Sequence, residues 1–189
     1  MSESGDNFRE AILSPEEVSA GVSDLARQIA YQCAGDEVAF VGIYTRGVTL
    51  ARRVAEALKL EGLHYPVGTL DISLYRDDFD NRRSDLPTLE TSDIPFGLDG
   101  IRVILFDEVL YTGRTIRAAL DGLMDYGRPA KIELAVLVDR GHREIPVQPD
   151  YVAKRIGTTR DQYVKVRFRE DDAGVEGVFL ETARKVPAA

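Results

Sequence analysis

Three short, strongly apolar segments, residues 38–43, 101–106 and 132–138, constrain this chain most. Segments this short and this apolar suit strands buried on both faces, where neither side meets water. Between and before them the apolar spacing changes to that of helices. Ser14-Pro15-Glu16-Glu17 is a helix start, with Ser as N-cap, Pro at the first position and acids in the first turn. Val18, Val22, Leu25 and Ile29 follow on one face of a helix ending near Gly35. A second helix is predicted over residues 49–60, with Ala51, Val54 and Leu58 inward. A third covers 115–126, with Ile116, Leu120 and Leu123 on one face. Strands alternating with helices imply an α/β fold with a parallel sheet and right-handed crossovers.

The remaining segments are less regular. Leu70, Ile72 and Leu74 alternate with polar residues, which predicts a strand with one wetter face. Residues 163–168 and 175–180 read as late strands whose pairing, antiparallel or not, stays open. Residues 76–100 carry two prolines, many charges and little periodicity, the composition of a lid, a protruding hairpin or a disordered loop. No internal repeat or linker divides the chain. It is read as one domain over residues 1–189, with a disordered tail at 1–7 and a flexible loop at 76–100.

Bulk properties narrow the function classes. With one Cys and two His among 189 residues, an internal disulfide is excluded and a zinc site disfavoured. The polar residues 1–7 are no secretory signal, and no apolar run reaches the ~18 residues of a membrane span. A cytoplasmic protein without a membrane partner is expected. A net charge of −8 argues against indiscriminate nucleic-acid binding, DNA included. The charge is uneven, however: residues 140–169 hold eight Lys or Arg against three acids. This basic segment is either a solvated face or a polyanion-binding patch.

In parallel sheets ligands sit beyond the carboxyl ends of the strands. Three predicted strand ends carry polar clusters here: Thr45-Arg46-Gly47, the stretch from Asp107 to Thr115, and Asp139-Arg140-Gly141-His142-Arg143. They are expected to form three walls of one site. Thr112-Gly113-Arg114-Thr115 lies where a helix begins, so backbone N–H groups and two hydroxyls point at a bound anion. Alone, this tetrapeptide would be an ordinary helix cap. The adjacent acids, Asp107 and Glu108, would repel a simple phosphate, but two carboxylates accept from vicinal hydroxyls and attract a hydrated divalent cation. A ligand with a diol on one side and a phosphate on the other, such as ribose 5-phosphate, reconciles the two features.

At this point the sequence is recognisable. "VILFDEVLYTGRT" (103–115) resembles the phosphoribosyl-pyrophosphate (PRPP) motif of type I phosphoribosyltransferases. Together with "FVGIYTRG" (40–47), "LDISLYRDD" (70–78) and "LAVLVDRGHREIP" (134–146), it resembles the pyrimidine operon attenuator and uracil phosphoribosyltransferase family (PyrR) over residues 13–167. The resemblance implies a type I phosphoribosyltransferase fold: a twisted, mainly parallel sheet flanked by helices, a small hood and a flexible β-hairpin loop. It implies a homodimer or higher homo-oligomer, Mg²⁺ dependence, and transfer of ribose 5-phosphate from PRPP to uracil, giving UMP. It also implies binding of the pyrimidine operon mRNA leader hairpin, adjusted by UMP or UTP. The alternative is a uracil phosphoribosyltransferase with weakened RNA binding.

The resemblance distributes roles over these residues. Arg46, Arg76, Asp107 and Glu108 are expected to carry catalysis. Thr45, Arg46 and Gly47 would hold pyrophosphate, while Tyr75 and Arg76 open the closing loop. Asp107, Glu108, Val109, Leu110, Tyr111, Thr112, Gly113, Arg114 and Thr115 would hold the ribose 5-phosphate. Val138, Asp139 and Arg140 form the base-side wall. Mg²⁺ would lie near Asp107 and Glu108, with Asp139 a contact through water. Ser23, Arg27, Arg143 and Lys154 are the expected RNA contacts. This chain has departures: Gln32 and Gln148 replace Arg, Glu108 replaces a second Asp, and Tyr111 stands where purine relatives place an acid, leaving base activation unassigned.

Overall fold

The computed structural model describes residues 9–75 and 92–182. Its elements run β1 (Arg9–Leu13), α1 (Pro15–Gln32), β2 (Val38–Ile43), α2 (Arg46–Leu60), β3 (Val67–Leu70), β4 (Arg102–Leu110), α3 (Arg114–Leu123), β5 (Lys131–Asp139), β6 (Tyr151–Arg155), β7 (Gln162–Arg167) and β8 (Gly177–Thr182). Five strands form one parallel sheet in the order β3-β2-β4-β5-β6, and β1-β8-β7 form a separate antiparallel sheet, the hood.

The two faces of the parallel sheet are sorted by strand period. Phe40, Ile104, Phe106, Ala135 and Leu137 point to one side, where Val22, Leu25 and Ile29 of α1 and Leu50, Val54 and Leu58 of α2 cover them. Val41, Val103, Leu105, Leu134 and Val136 point to the other, under Ile116, Ala119 and Leu123 of α3. Each large side chain so buried contributes roughly 1.5–3 kcal/mol relative to exposure. α1 begins as the sequence requires: Ser14 Oγ accepts from the Glu17 N–H while the Glu17 carboxylate accepts from the Ser14 N–H at 2.8 Å, a complete capping box.

Several expectations are corrected. The strand expected at 70–74 instead ends at Leu70, because the Asp71 carboxylate takes the Ser73 N–H (2.8 Å) and hydroxyl (2.6 Å) and closes a turn. The α2 helix starts three residues early, at Arg46. The third helix ends at Leu123, with a 3-10 turn over Met124–Tyr126. Strands β1 and β6 had no sequence assignment. The late strands β7 and β8 are antiparallel.

The most consequential difference lies in β4. It does not stop before the acids but continues through them to Leu110. Its pairing with β2 ends at Gly42↔Phe106, whereas its pairing with β5 runs on through Asp107↔Val136 to Leu110↔Asp139. Asp107 and Glu108 therefore sit on an overhang, backed by β5 and deserted by β2. Residues 1–8 and 76–91, which include the expected tail, most of the expected loop and Arg76, lie outside the described residues. The chain is fastened again at 92–98: Ser92 Oγ accepts from the Asp71 N–H, Asp93 bridges Thr69, and Leu98 is fully buried.

Candidate active site

The space vacated by β2 is a cleft of about 500 Å³ lined by Tyr44, Thr45, Arg46, Asp71, Ser73, Asp107, Glu108, Val109 and Thr115. Two of the three expected walls thus meet. Their spacing is set by backbone contact: a Cβ on Gly47 would overlap the carbonyl oxygen of Phe106, and one on Gly42 would overlap Val48. Only glycine lets the first turn of α2 lie against the end of β4. The peptide between Tyr44 and Thr45 is cis.

α2 and α3 both direct their N-termini at this cleft, and neither N-cap residue, Thr45 or Gly113, caps its helix with a side chain; a long contact joins the Arg114 N–H to Thr112 Oγ1 at 3.4 Å. α1, remote from the cleft, has the complete capping box. Free N–H groups and the positive end of the helix dipole favour an anion, and two such helix ends lie at this cleft. Gly113, the N-cap of α3, has φ +93°, a left-handed conformation that glycine adopts without strain.

Between the two helix ends lie the carboxylates. Asp107 is 6% exposed and accepts from the Glu108 N–H at 3.0 Å. Arg46 reaches the cleft from the opposite side, and the negative charge of Glu108 favours its protonated guanidinium. Its Nε and Nη2 meet the Asp172 carboxylate at 3.1 and 2.6 Å, which raises the guanidinium pKa. This ion pair occupies only one edge of the group.

The third wall is a scaffold. The Asp139 carboxylate accepts from Gly141 N (3.0 Å) and Arg143 Nη2 (2.6 Å). Arg143 also donates to the carbonyls of Tyr111, Gly141 and Val147, and its side chain is 14% exposed. The Thr112 carbonyl accepts from Glu144 N and Ile145 N, and Arg114 Nε pairs with Glu144. The loop at residues 111–114 is thus tied along its length to residues 143–145. Arg140, 4% exposed, lies 3.9 Å over the Tyr111 ring and donates to Thr158 Oγ1 and the Thr159 carbonyl. Burial lowers its pKa, and Tyr111 and Tyr163 oppose that shift. Val138 and Leu110 are buried in the sheet.

Other expected residues are placed elsewhere. The Tyr75 ring packs on Gly122 and its hydroxyl donates to Asp125, so it braces α3 and does not line the cleft. Arg27 and Lys154 line one groove between α1 and β6, with Arg27 pairing with Asp24. Ser23 lies in a second groove, between α1 and α2. Sequence reasoning missed Tyr44, Asp71 and Ser73 as lining residues. The turn-forming pair Asp71-x-Ser73 was the available signal.

The oxygen donors of the cleft suit a hard divalent cation. Among the described residues no group of three or more His, Cys, Asp or Glu is placed to hold one. An ion here would take its remaining oxygens from a ligand and water. No described helix is long and apolar enough to cross a membrane.

The comparisons with known proteins agree with this geometry. Residues 9–172 match the phosphoribosyl transferase domain family. The chain is 51% identical over 171 residues to the bifunctional protein PyrR of Roseiflexus sp., covering 89% of this chain and 93% of the relative. It is 56% identical over 146 residues to bifunctional protein PyrR 1 of Lactiplantibacillus plantarum, covering 75% and 79%. Among solved structures, a hypoxanthine phosphoribosyltransferase of Staphylococcus aureus superposes with TM-score 0.67 over 98% of both chains at 18% identity. That of Trypanosoma cruzi gives 0.70 over 93% and 97% at 16% identity. At such identities these structures establish the fold alone. The chain belongs to the phosphoribosyltransferase family and, within it, to the bifunctional PyrR proteins.

Proposed function

We propose that this protein transfers ribose 5-phosphate from PRPP to uracil, and that it also regulates pyrimidine genes by binding their mRNA leader hairpin under the control of UMP or UTP. The observation that carries the catalytic half is two helix N-termini, neither capped by the side chain of its N-cap residue, at one cleft that also holds a carboxylate pair. PRPP has that charge pattern: a phosphate at one end, a pyrophosphate at the other and a diol between.

Uracil N1 forms a bond to ribose C1 as the C1–O bond to pyrophosphate breaks and the N1 proton leaves. The loop from Thr112 to Thr115 takes the 5-phosphate on the N–H groups of α3. Asp107 and Glu108 accept from the 2′ and 3′ hydroxyls. Thr45, Arg46 and Gly47 receive the departing pyrophosphate, whose charge must be stabilised as it develops. Arg76 closes over it and excludes water. Val138, Asp139 and Arg140 shape the uracil side, with Arg140 and Arg143 holding that wall rigid. Mg²⁺, bound near Asp107 and Glu108 through ligand oxygens and water, would neutralise the leaving group. UMP formation from uracil and PRPP with Mg²⁺ is the test, and a purified protein that makes none overturns the assignment.

The regulatory half is supported by a convergence: Arg27 and Lys154, 127 positions apart in sequence, line the same groove. Ser23 lies in the neighbouring groove between α1 and α2, whereas Arg143 is turned inward onto Asp139 and the carbonyls of Tyr111, Gly141 and Val147. The protein works in the cytoplasm as a homodimer or larger assembly, and its nucleic-acid partner is RNA, not DNA. Affinity for the leader hairpin, measured with and without UMP against a scrambled hairpin, decides this half. Equal affinity for both hairpins leaves a catalyst with weakened RNA binding.

A further inference from the structure

The turn between β7 and β8 in the hood carries four acids close in sequence, Glu170, Asp171, Asp172 and Glu176. All four reach down to the first two turns of α2. Asp171 accepts from the Thr49 hydroxyl at 2.7 Å, and Glu170 and Glu176 both hold Arg53. Asp172 takes Arg46 with both oxygens. Three of these contacts fasten the hood to the body. The fourth involves the cation assigned above to pyrophosphate.

Two observations separate Asp172 from a mere fastener. First, the carboxylate is fixed from behind. Its Oδ2 also accepts from the Phe168 N–H at 3.1 Å, and the Asp172 N–H closes the same turn on the Phe168 carbonyl. The side chain is only 10% exposed, and the Arg46 hydrogen bond, with help from Phe168, holds its pKa below the usual carboxylate range against the effect of burial. Asp172 is therefore a rigid, permanently charged acceptor. Second, it grips Arg46 side-on, through Nε and Nη2. The far edge, with both Nη1 hydrogens and one on Nη2, has no partner among the described residues, and Arg46 lines the cleft. A guanidinium held this way keeps its planar fork aimed in one direction without losing the donors that face a ligand.

We propose that Asp172 is a positioning residue for pyrophosphate: the hood orients Arg46, so the grip on the leaving group depends on a residue from the opposite end of the chain. This rests on the reading of Arg46 as the pyrophosphate contact. A long arginine on the rim of a cleft that is open to solvent otherwise spreads over many rotamers. Fixing it beforehand removes that ordering cost from binding and keeps the charge where it develops in the transition state.

The experiment compares Asp172→Asn, Arg46→Ala and the double variant in the intact protein, reading KM for PRPP, KM for uracil and the dissociation constant of UMP. Asp172→Asn is expected to raise KM for PRPP about tenfold while uracil and UMP stay within about twofold, because neither carries pyrophosphate. The double variant is expected to be no worse than Arg46→Ala alone, as for two residues acting as one unit. Thr49→Ala, which loosens the same hood turn without touching Arg46, is expected to lower Tm and to move PRPP and UMP together. Should Asp172→Asn fold poorly, Arg46→Lys serves instead: it keeps the charge but cannot take the two-point grip, and is expected to give the same selective rise for PRPP.

The outcomes separate the two claims. If Arg46→Ala does not discriminate PRPP from UMP, the pyrophosphate reading of Arg46 falls and the proposal falls with it. If Arg46→Ala discriminates but neither Asp172→Asn nor Arg46→Lys does, only the positioning role is overturned. A fall in KM for PRPP on Asp172→Asn would make Asp172 a competitor of the ligand, and equal selectivity from Thr49→Ala would assign the effect to the whole turn. Either result overturns the proposal.

Discussion

The two ends of the parallel sheet use the same residue types for opposite purposes. At the amino end, Arg102 of β4 forms a two-point ion pair with Glu133 of β5 and also reaches Asp36 and the Gln32 carbonyl. Glu133, 2% exposed, further accepts from Lys131 and from the buried hydroxyl of Tyr151, which lies 3.6 Å from the Cys33 sulfur. Burial alone would push the Glu133 carboxyl up, but these donors hold it down to about 2. Burial likewise raises the Cys33 and Tyr151 pKa values. This network is closed on itself. At the carboxyl end, Arg46, Asp107 and Glu108 are brought together but face a cleft, and the helices beside them have no cap from their N-cap side chains. The difference teaches that a charge cluster indicates function when its geometry leaves donors and acceptors for something else.

Four experiments break or sharpen this contrast. The largest effect is expected from Arg46→Ala, which should cut PRPP-dependent turnover by about 10²–10³ while UMP binding is largely kept, as steady-state kinetics and titration calorimetry would register. An equal loss of both would move Arg46 into the structural class.

Next comes the closed end. Glu133→Gln leaves Arg102 with only the exposed Asp36 as counter-charge and is expected to cost about 3 kcal/mol in denaturant unfolding, with KM values unchanged in the folded protein. The pH dependence follows from the depressed carboxyl. Its contribution is present above the unfolded value near 4.5 and disappears as pH falls from there toward 2. Glu133→Gln should therefore flatten that acid limb, and an unchanged limb would show that another group controls it.

Smaller effects concern the open surfaces. Lys154→Ala is expected to weaken leader-hairpin binding and to flatten the log–log salt slope by about one unit, whereas Glu133→Gln leaves that slope alone. Last, Glu108→Asp should raise turnover by a factor of roughly two to ten, since the shorter acid restores the reach onto the ribose expected of relatives. A fall would mean that the longer side chain is matched to this cleft.

Much of this arrangement was legible in the sequence, for reasons that can be stated. The apolar strands declared themselves because burial on both faces leaves room for few polar residues, and those few, such as Glu133, are paired. The strand-end clusters declared the cleft because parallel topology sends all such ends to one side. What escaped depends on long-range contact. β1 and β6 are five-residue strands with charged outer positions, and each is defined by the strand beside it. The inward turn of Arg143 could not be read, because three of its four acceptors are carbonyls, which every residue has. Nothing local links Arg46 to Asp172, 126 positions away. The alternation at 70–74 misled because Asp71 closes a turn that the apolar pattern alone does not reveal.

The glycine at position 47 has one more consequence. Because α2 rests directly on the Phe106 carbonyl there, the separation between the start of α2 and the end of β4, the walls proposed to hold pyrophosphate and ribose, is a main-chain dimension. Side-chain changes such as the longer acid at 108 adjust what projects into the gap, but they cannot alter its width. On the reading proposed above, the cleft would act as a gauge for one length of ligand, and drift elsewhere in the sequence would blunt its edges without resetting its span.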